Sequence, residues 1–175
     1  MTIKTIFLDR DGVINKEIGY LYKIEDFQFI NGVFEACQNF NQLGYQIIIV
    51  TNQSGISRGY YSESDFQIIT NWMLSEFKKN YINILDIFYC SHMPESKCNC
   101  RKPKPGMFIE AQNKYNINME ESWMIGDSER DIVAANSAGI KNTILVKNGH
   151  EINIVNSSAM FFLDSINEAQ KIIFK

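Results

Sequence analysis

Acidic side chains at two points of the chain could together hold a divalent cation. Asp9 and Asp11 are separated by one residue, where an apolar and partly β-branched segment ends and a turn begins at Gly12. Two carboxylates this close repel each other and raise each other's pKa, and a divalent cation removes that conflict. Asp127, from a later apolar segment, would complete the kind of oxygen site that Mg²⁺ prefers. A lone aspartate at such a place is usually a turn or cap residue, but Asp9, Asp11 and Asp127 together, beside Thr51 and a lysine, favour a site for a divalent cation.

Three of the chain's four cysteines lie with a histidine in residues 90–100, in the spacing C-x-H-x5-C-x-C. These side chains, Cys90, His92, Cys98 and Cys100, could wrap a tetrahedral Zn²⁺ as two pairs joined by a short loop. A closed Cys3His set leaves no open position, so the zinc would be structural rather than catalytic. In a reducing compartment, clustered cysteines favour metal binding or catalysis over disulfides, the alternative here being a chance cluster. Cys37 lies apart, in an apolar-periodic stretch, and is interpreted as a buried core thiol.

Basic residues follow the last of these cysteines directly. Arg101 can clamp a phosphate with two parallel hydrogen bonds, while Lys102 acts as a point charge. A zinc-bound loop would therefore deliver both side chains to an anionic substrate. Lys104 is interpreted as a solvated surface residue.

Strand-like and helix-like segments alternate along the chain, and these elements must position the polar side chains. Short apolar runs predict strands, whereas apolar residues at helical spacing predict helices. The predicted strands cover residues 3–8, 45–50, 84–89, 123–125, 143–146 and 160–163. The predicted helices cover residues 33–43, 107–115, 128–138 and 165–174, with one more beginning at Ser62, where Asp65 gives capping-box spacing. This alternation indicates an α/β fold, a Rossmann-like parallel sheet with helices on both faces.

Polar residues follow four of the predicted strands at the point where each strand ends. They are Asp9 and Asp11, then Thr51, Asn52 and Gln53, then Cys90 and His92, and finally Gly126, Asp127 and Ser128. Ligands of parallel α/β sheets bind outside the carboxyl ends of the strands. The sequence therefore predicts that all four sets meet at one edge of the sheet.

Four segments in this order resemble the motifs of the haloacid dehalogenase superfamily. They are residues 9–13 (Asp-Arg-Asp-Gly-Val), residues 51–52 (Thr-Asn), Lys102, and residues 126–131 (Gly-Asp-Ser-Glu-Arg-Asp). The resemblance implies that Asp9 is a nucleophile that forms an aspartyl phosphate, and that Asp11 is first general acid and then general base. It further implies that Thr51 hydrogen-bonds a phosphoryl oxygen and that Lys102 neutralises the oxygens of Asp9 and of the transferring phosphoryl group.

The same resemblance implies a Mg²⁺ site. Its ligands would be the carboxylates of Asp9 and Asp127 and the backbone carbonyl of Asp11. Asp131, one helical turn past Asp127, either orients Lys102 or touches the metal, and the sequence leaves both alternatives open.

No segment before Lys102 is long enough for an inserted cap domain, so we expect an open, capless site. Its walls would be residues 17–20, residues 54–58 and the zinc loop at residues 90–100. The residues expected to bind substrate are Glu17, Gly19, Tyr20, Asn52, Gln53, Ser54, Arg58, Arg101 and Ser128. Arg58 and Arg101 are expected to bind the sugar or its second phosphate.

The Cys/His loop is similar to that of two phosphatase subfamilies, which act on heptose bisphosphates and on histidinol phosphate. The resemblance to the heptose subfamily is closer, and is carried by residues 9–15, 19–20, 51–59 and 100–107. It implies removal of the 7-phosphate from a small phosphorylated sugar, with a product that feeds nucleotide-activated heptose synthesis for lipopolysaccharide or surface glycans. The chain departs from the subfamily pattern at Ser128, where a lysine often helps to bind substrate.

Composition limits the remaining classes of function. The 175 residues fit one domain, residues 1–175, with a net charge of −3 and no dense Lys/Arg tract, so we expect no nucleic-acid partner. No apolar run approaches the ~18 residues that a membrane helix needs, and no signal peptide is recognisable, so we expect a cytoplasmic monomer without a membrane partner. A catalytically silent zinc-bearing binding module remains the alternative from another class, although such a module has no need of the full aspartate, threonine and lysine set.

Overall fold

The structure is a computed structural model, and it describes residues 2–148 and 154–174. Within them, six strands form one parallel sheet in the order β3-β2-β1-β4-β5-β6. The strands are β1 (Thr5–Leu8), β2 (Gln46–Asn52), β3 (Asp86–Cys90), β4 (Trp123–Gly126), β5 (Asn142–Val146) and β6 (Phe161–Leu163). The α-helices are α1 (Val33–Gln42), α2 (Glu63–Lys79), α3 (Gly106–Tyr115) and α4 (Glu129–Ser137).

The first strand lies at the centre of the sheet, with a neighbouring strand on each side. β1 pairs with β2 on one side, where Leu8 faces Ile49, and with β4 on the other, where Leu8 faces Ile125. The strand order therefore reverses between β1 and β4, which makes a topological switch point. In open α/β sheets, ligands bind in the crevice outside the strands at such a point.

Alternating side chains of the buried strands feed two separate cores. Ile6 and Leu8 of β1 join the core formed with α1 and α2, whereas Phe7 joins the core formed with α3 and α4. Each face of the sheet is thus covered by two helices, and the predicted fold class is confirmed. A parallel sheet covered on both faces needs apolar residues at successive strand positions, as the fully buried run Thr5–Leu8 shows.

The element bounds follow the predictions closely, with one difference in type. The predicted capping box at the start of α2 is present, since the Asp65 N–H donates to Ser62 Oγ and the Ser62 N–H donates to the Asp65 carboxylate. The predicted closing helix is instead a short 3₁₀ helix, Ile166–Lys171. Ile166 and Ala169 are its buried residues, and this three-residue spacing matches the 3.0-residue turn of a 3₁₀ helix.

The connections from β1 to α1 and from β3 to α3, both within the described residues 2–148, contain no inserted domain. Residues 9–32, between β1 and α1, hold one 3₁₀ turn, Ile24–Asp26, and residues 91–105, between β3 and α3, hold no helix or strand. The switch point is therefore walled by loops. Among the helices of residues 2–148 and 154–174, none combines the length and apolarity required to cross a membrane.

Candidate active site

Asp9 stands at the switch point, immediately after β1. Its backbone N–H donates to Ile125 O of β4 (3.0 Å), which joins the two central strands beyond their last paired residues. The carboxylate oxygen Oδ1 accepts from Lys102 Nζ (2.9 Å) and from the Arg10 backbone N–H (2.8 Å). Burial, with the Asp131 and Asp11 charges, outweighs the Lys102 charge and raises the pKa of Asp9 to about 7.

Lys102 is almost fully buried, and its ammonium lies between acidic and carbonyl oxygens. Nζ lies 2.7 Å from Asp131 Oδ1 and donates to Val50 O at 2.7 Å. The side chain of Asn52 holds the Lys102 backbone on both sides, since Oδ1 accepts from its N–H and Nδ2 donates to its C=O, each at 3.1 Å. The Asp131 carboxylate thus lies against the ammonium of Lys102, as the lysine-orienting alternative predicts, and one of its oxygens also belongs to the carboxylate cluster described below.

Asn52, which was predicted to bind substrate, also contacts the lysine. Both ends of its amide bond the Lys102 backbone, so in this arrangement it positions the lysine. The side chain is partly buried, and each hydrogen bond lost would leave a polar group unpaired. Asn52 still lines the cavity described below.

Three carboxylates crowd the edge of the sheet, and the charges of Lys102 and Arg130 offset their repulsion only in part. One oxygen each of Asp9, Asp127 and Asp131 lies within 4.8 Å of the other two. Burial and the Asp9 and Asp131 charges raise the pKa of Asp127 to about 8. A hard divalent cation with oxygen ligands relieves this repulsion, so the donor set fits Mg²⁺.

Gly12 makes room for Asp127 in this cluster. A Cβ at Gly12 would lie 1.9 Å from Asp127 Oδ2, and its φ of +82° belongs to the left-handed region that favours glycine. The glycine of the Asp-Arg-Asp-Gly run is therefore required for two reasons, the positive φ of the turn and the close approach of the Asp127 carboxylate.

Asp11 lies one residue beyond Arg10, which pairs with it through a short local ion pair. Arg10 Nη2 lies 2.9 Å from Asp11 Oδ1, Asn15 Nδ2 donates to Oδ1 (3.0 Å), and Gln53 Nε2 donates to Oδ2 (3.0 Å). Burial alone would raise the pKa of Asp11, but the Arg10 charge and these hydrogen bonds together hold it below the usual value. Thr51 lies beside this network and is buried, and its Oγ1 accepts from Gln53 Nε2 (2.8 Å).

One cavity of about 330 Å³ opens beside Asp11. Eight of the nine residues predicted to bind substrate line it, namely Glu17, Gly19, Tyr20, Asn52, Gln53, Ser54, Arg58 and Arg101. Ser128 is the exception among the described residues. It is the N-cap residue of α4, and its backbone N–H donates to Asp131 Oδ2 (3.1 Å).

Residues that the sequence analysis did not single out complete the cavity. Arg10, Tyr61 and Arg130 line it, so with Arg58 and Arg101 it presents four guanidinium groups. The run Asp9-Arg10-Asp11 could have pointed to Arg10, since an arginine between two site aspartates must fold back onto one of them. Tyr61 could not have been found in this way, because it lies ten positions along the chain from Thr51 in an ordinary loop.

The predicted zinc ligands converge after β3. Their ligand atoms all lie within 4.8 Å of one another, with Cys90 Sγ 3.8 Å from Cys98 Sγ, and His92 Nδ1 3.4 Å from Cys90 Sγ and 3.3 Å from Cys100 Sγ. A tetrahedral zinc with Zn–S near 2.3 Å and Zn–N near 2.0 Å places its sulfurs roughly 3.8 Å apart and sulfur and nitrogen roughly 3.5 Å apart. The thiol and imidazole spacing therefore fits that metal.

The cysteine loop is tied to the cavity through its own backbone. Arg101 Nη1 donates to His92 O (3.3 Å), and the Gly106 N–H donates to Asn99 O (3.0 Å). A Cβ at Gly106 would lie 2.2 Å from that Asn99 oxygen, so only glycine allows α3 to begin against the loop. The position of Arg101 at the cavity wall thus depends on the fold of the cysteine loop.

A doubly wound parallel sheet with an aspartate nucleophile candidate, a buried lysine and a cation-binding cluster at its switch point defines an α/β enzyme of phosphoryl transfer. The HAD-hydrolase-like family model matches residues 99–169. A D-glycero-alpha-D-manno-heptose-1,7-bisphosphate 7-phosphatase of Photorhabdus laumondii is 44% identical over 95% of this chain and 97% of its own. A D-glycero-beta-D-manno-heptose-1,7-bisphosphate 7-phosphatase of Haemophilus ducreyi is 47% identical over 85% and 86% of the two chains.

A solved structure matches the whole fold. The D,D-heptose 1,7-bisphosphate phosphatase of B. bronchiseptica, in complex with magnesium and phosphate, superposes with a TM-score of 0.85 at 26% identity, over 97% of each chain. The protein therefore belongs to the phosphatases of the haloacid dehalogenase superfamily.

Proposed function

We propose that this protein is a Mg²⁺-dependent phosphatase that removes the 7-phosphate of D-glycero-D-manno-heptose 1,7-bisphosphate through an aspartyl phosphate on Asp9. Relatives named for this activity match at 44% and 47% identity, one for each anomer, so the proposal stops at the heptose and does not choose the anomer. The observation that carries it is the cavity beside Asp11, two residues along the chain from Asp9, which is lined by four arginines. A substrate with two phosphates needs such groups both at and away from the reacting phosphorus.

In the first step, an Asp9 carboxylate oxygen attacks phosphorus, a P–O bond forms, and the bond from phosphorus to the sugar oxygen breaks. Lys102 and the Thr51 hydroxyl offset the charge on the phosphoryl oxygens, and Asp131 keeps Lys102 in place. Asp9, Asp127 and the Asp11 carbonyl would hold Mg²⁺, which neutralises phosphoryl charge when bound.

Asp11 supplies the proton for the leaving sugar oxygen. In the substrate-free protein, Arg10 favours its ionised form. The negative charge of a phosphate arriving beside Asp11 favours protonation, so substrate binding prepares the general acid. In the second step, ionised Asp11 takes a proton from the water that attacks phosphorus, which releases inorganic phosphate and regenerates Asp9.

The second phosphate requires a partner away from Asp9. Arg58 and Arg101 line the cavity on separate loops, and Arg58 Nε is buried without a hydrogen-bond partner in the described residues. An unpaired buried guanidinium nitrogen is costly unless a ligand satisfies it. We assign Arg58 and Arg101 to the phosphate and hydroxyl groups of the sugar that do not react.

We further propose that Cys90, His92, Cys98 and Cys100 hold a structural Zn²⁺, on the strength of their spacing. Zinc binding contributes on the order of 10 kcal/mol to ordering such sites, which suffices for a loop with no core of its own. The loop would then hold Arg101 at the cavity wall.

Steady-state kinetics on two substrates test the proposal. We expect turnover of heptose 1,7-bisphosphate with a kcat/KM well above that for histidinol phosphate, and no turnover in EDTA. Phosphorus NMR should show loss of the 7-phosphate signal while the 1-phosphate signal remains. Preference for histidinol phosphate, or release of the 1-phosphate, would contradict the assignment.

A further inference from the structure

The Gln53 side chain links three polar groups beside the reaction centre. Its Nε2 lies 2.8 Å from Thr51 Oγ1 and 3.0 Å from Asp11 Oδ2, and its Oε1 lies 2.6 Å from the Tyr61 hydroxyl. Gln53 is 3% exposed and Tyr61 6% exposed, so these contacts are shielded from bulk solvent. Tyr61 has no place in the catalytic scheme described above.

The donor and acceptor roles in this network have only one consistent arrangement. Asp11 Oδ2 also accepts from Arg10 Nη2 (3.0 Å), so the Gln53 atom that faces it must be the amino group. The carbonyl oxygen of the amide then faces Tyr61, whose hydroxyl must donate. Burial raises the pKa of Tyr61 to about 12, so this hydroxyl keeps its proton.

The donor role of the Gln53 amino group also determines the hydrogen bonding of Thr51. Because Thr51 Oγ1 accepts from Gln53, its own proton points elsewhere, and within residues 2–148 and 154–174 it donates to no protein acceptor. We propose that Tyr61 is a positioning residue: by holding the Gln53 carboxamide in one orientation, it directs the Thr51 hydroxyl proton at the transferring phosphoryl group. This inference rests on the proposed phosphatase chemistry but not on the identity of the sugar.

The Tyr61 ring is itself fixed from two sides. A Cβ at Gly55 would lie 2.1 Å from Tyr61 Cε1, so the glycine is required for the ring to approach this closely. The Tyr22 ring stacks on the other side, with centroids 5.5 Å apart and planes 13° from parallel. A rigidly held hydroxyl orients its partner at little cost in conformational entropy.

Removing the hydroxyl while keeping the ring tests the inference. Tyr61→Phe should lower kcat about fivefold and leave KM nearly unchanged, because one orienting hydrogen bond is worth about 1 kcal/mol. The matched control is Tyr22→Phe, which removes the same group from the stacked ring and should leave kcat unchanged. Both are measured with p-nitrophenyl phosphate and with heptose 1,7-bisphosphate, alongside the melting temperature, which reports any general loss of stability in either variant.

A double-mutant cycle separates positioning from a general structural effect. In a Gln53→Met background, Tyr61→Phe should have no further effect on kcat, because the amide through which Tyr61 acts is gone. If Gln53→Met does not fold, Thr51→Val serves as the background in its place. The fold-decrease in kcat caused by Tyr61→Phe should then approach one. An unchanged kcat in Tyr61→Phe, or effects that multiply in the double variant, would overturn the inference.

The wild-type data separate this inference from the proposed function. Turnover of p-nitrophenyl phosphate without turnover of the heptose substrate refutes the substrate assignment and leaves the Tyr61 cycle measurable. Absence of turnover with both substrates overturns the phosphatase proposal and the Tyr61 role with it.

Discussion

Replacing Asp127 with asparagine should stabilise the Mg²⁺-free protein. Asp127 lies in a cluster with Asp9 and Asp131, and the charges of Arg130 and Lys102 offset their repulsion only in part. The pKa of Asp9 is raised to about 7 and that of Asp127 to about 8, so the folded protein resists ionising both groups. An amide at position 127 keeps the shape of the side chain and removes one of the repelling charges.

The sign and size of this effect follow from the raised pKa values. A carboxyl whose pKa is higher in the folded than in the unfolded state contributes stability at low pH that is lost as pH rises through the folded pKa. For Asp127, the pKa rises from 3.8 to about 8, and each pH unit is worth 1.36 kcal/mol. The raised pKa therefore lowers the free energy of unfolding by at most on the order of 5 kcal/mol at high pH, and by roughly 2 kcal/mol at pH 5. The stabilisation by Asp127→Asn should therefore grow between pH 5 and pH 8.

Denaturant unfolding in EDTA and in saturating Mg²⁺, at pH 5 and pH 8, measures these quantities. Wild-type protein should gain more free energy of unfolding from Mg²⁺ at pH 8 than at pH 5, and Asp127→Asn should gain little at either pH. The control Asp26→Asn changes an exposed aspartate far from the cluster and should behave as wild type. The reasoning is refuted if Asp127→Asn is less stable than wild type in EDTA at pH 8 and responds equally to Mg²⁺.

Two further substitutions test the supports of the site. Cys98→Ser should remove zinc, measured by elemental analysis, and should raise KM for the bisphosphate because Arg101 loses its fixed loop. The control Lys97→Ser, in the same loop, should retain zinc. Unchanged metal content in Cys98→Ser would contradict the ligand set. Gly12→Ala should lower kcat and Mg²⁺ affinity more than tenfold, because its Cβ would lie 1.9 Å from Asp127 Oδ2. Gly59→Ala is the matched control, since its φ of +72° carries similar strain with no heavy atom within 4 Å of the added carbon, and equal losses in both variants would exclude the carboxylate clash.

The strands and the meeting of the site residues at one sheet edge could be predicted from local patterns. Buried parallel strands are continuous apolar runs, and the run at residues 5–8 ends at Asp9 because the chain there leaves the core. The order of motifs along the chain then fixes which strand delivers which side chain. The predicted zinc ligands could be found from the sequence in the same way, since all four lie within residues 90–100.

The partners of the predicted residues could not be inferred in this way. Asn52 ends β2, where a substrate-binding residue is expected, and its amide bonds the Lys102 backbone 50 positions away. Tyr61 likewise contacts Gln53 only because Gly55 lets its ring approach. Such choices depend on the packing of loops against one another, and spacing along the chain carries no information about them. Ser128 was expected to bind substrate by analogy to a lysine, and the structure places it at the N-cap of α4, where its backbone N–H bonds Asp131.

Trapping the phosphoenzyme tests the central claim most directly. Wild-type protein quenched in acid during turnover of heptose 1,7-bisphosphate should carry one phosphoryl group on the peptide that contains Asp9, and hydroxylamine should remove it, as expected of an acyl phosphate. Asp9→Asn should fold, carry no such group and lose turnover. Turnover without a labile phosphate on that peptide, or near-normal turnover by Asp9→Asn, would contradict the account.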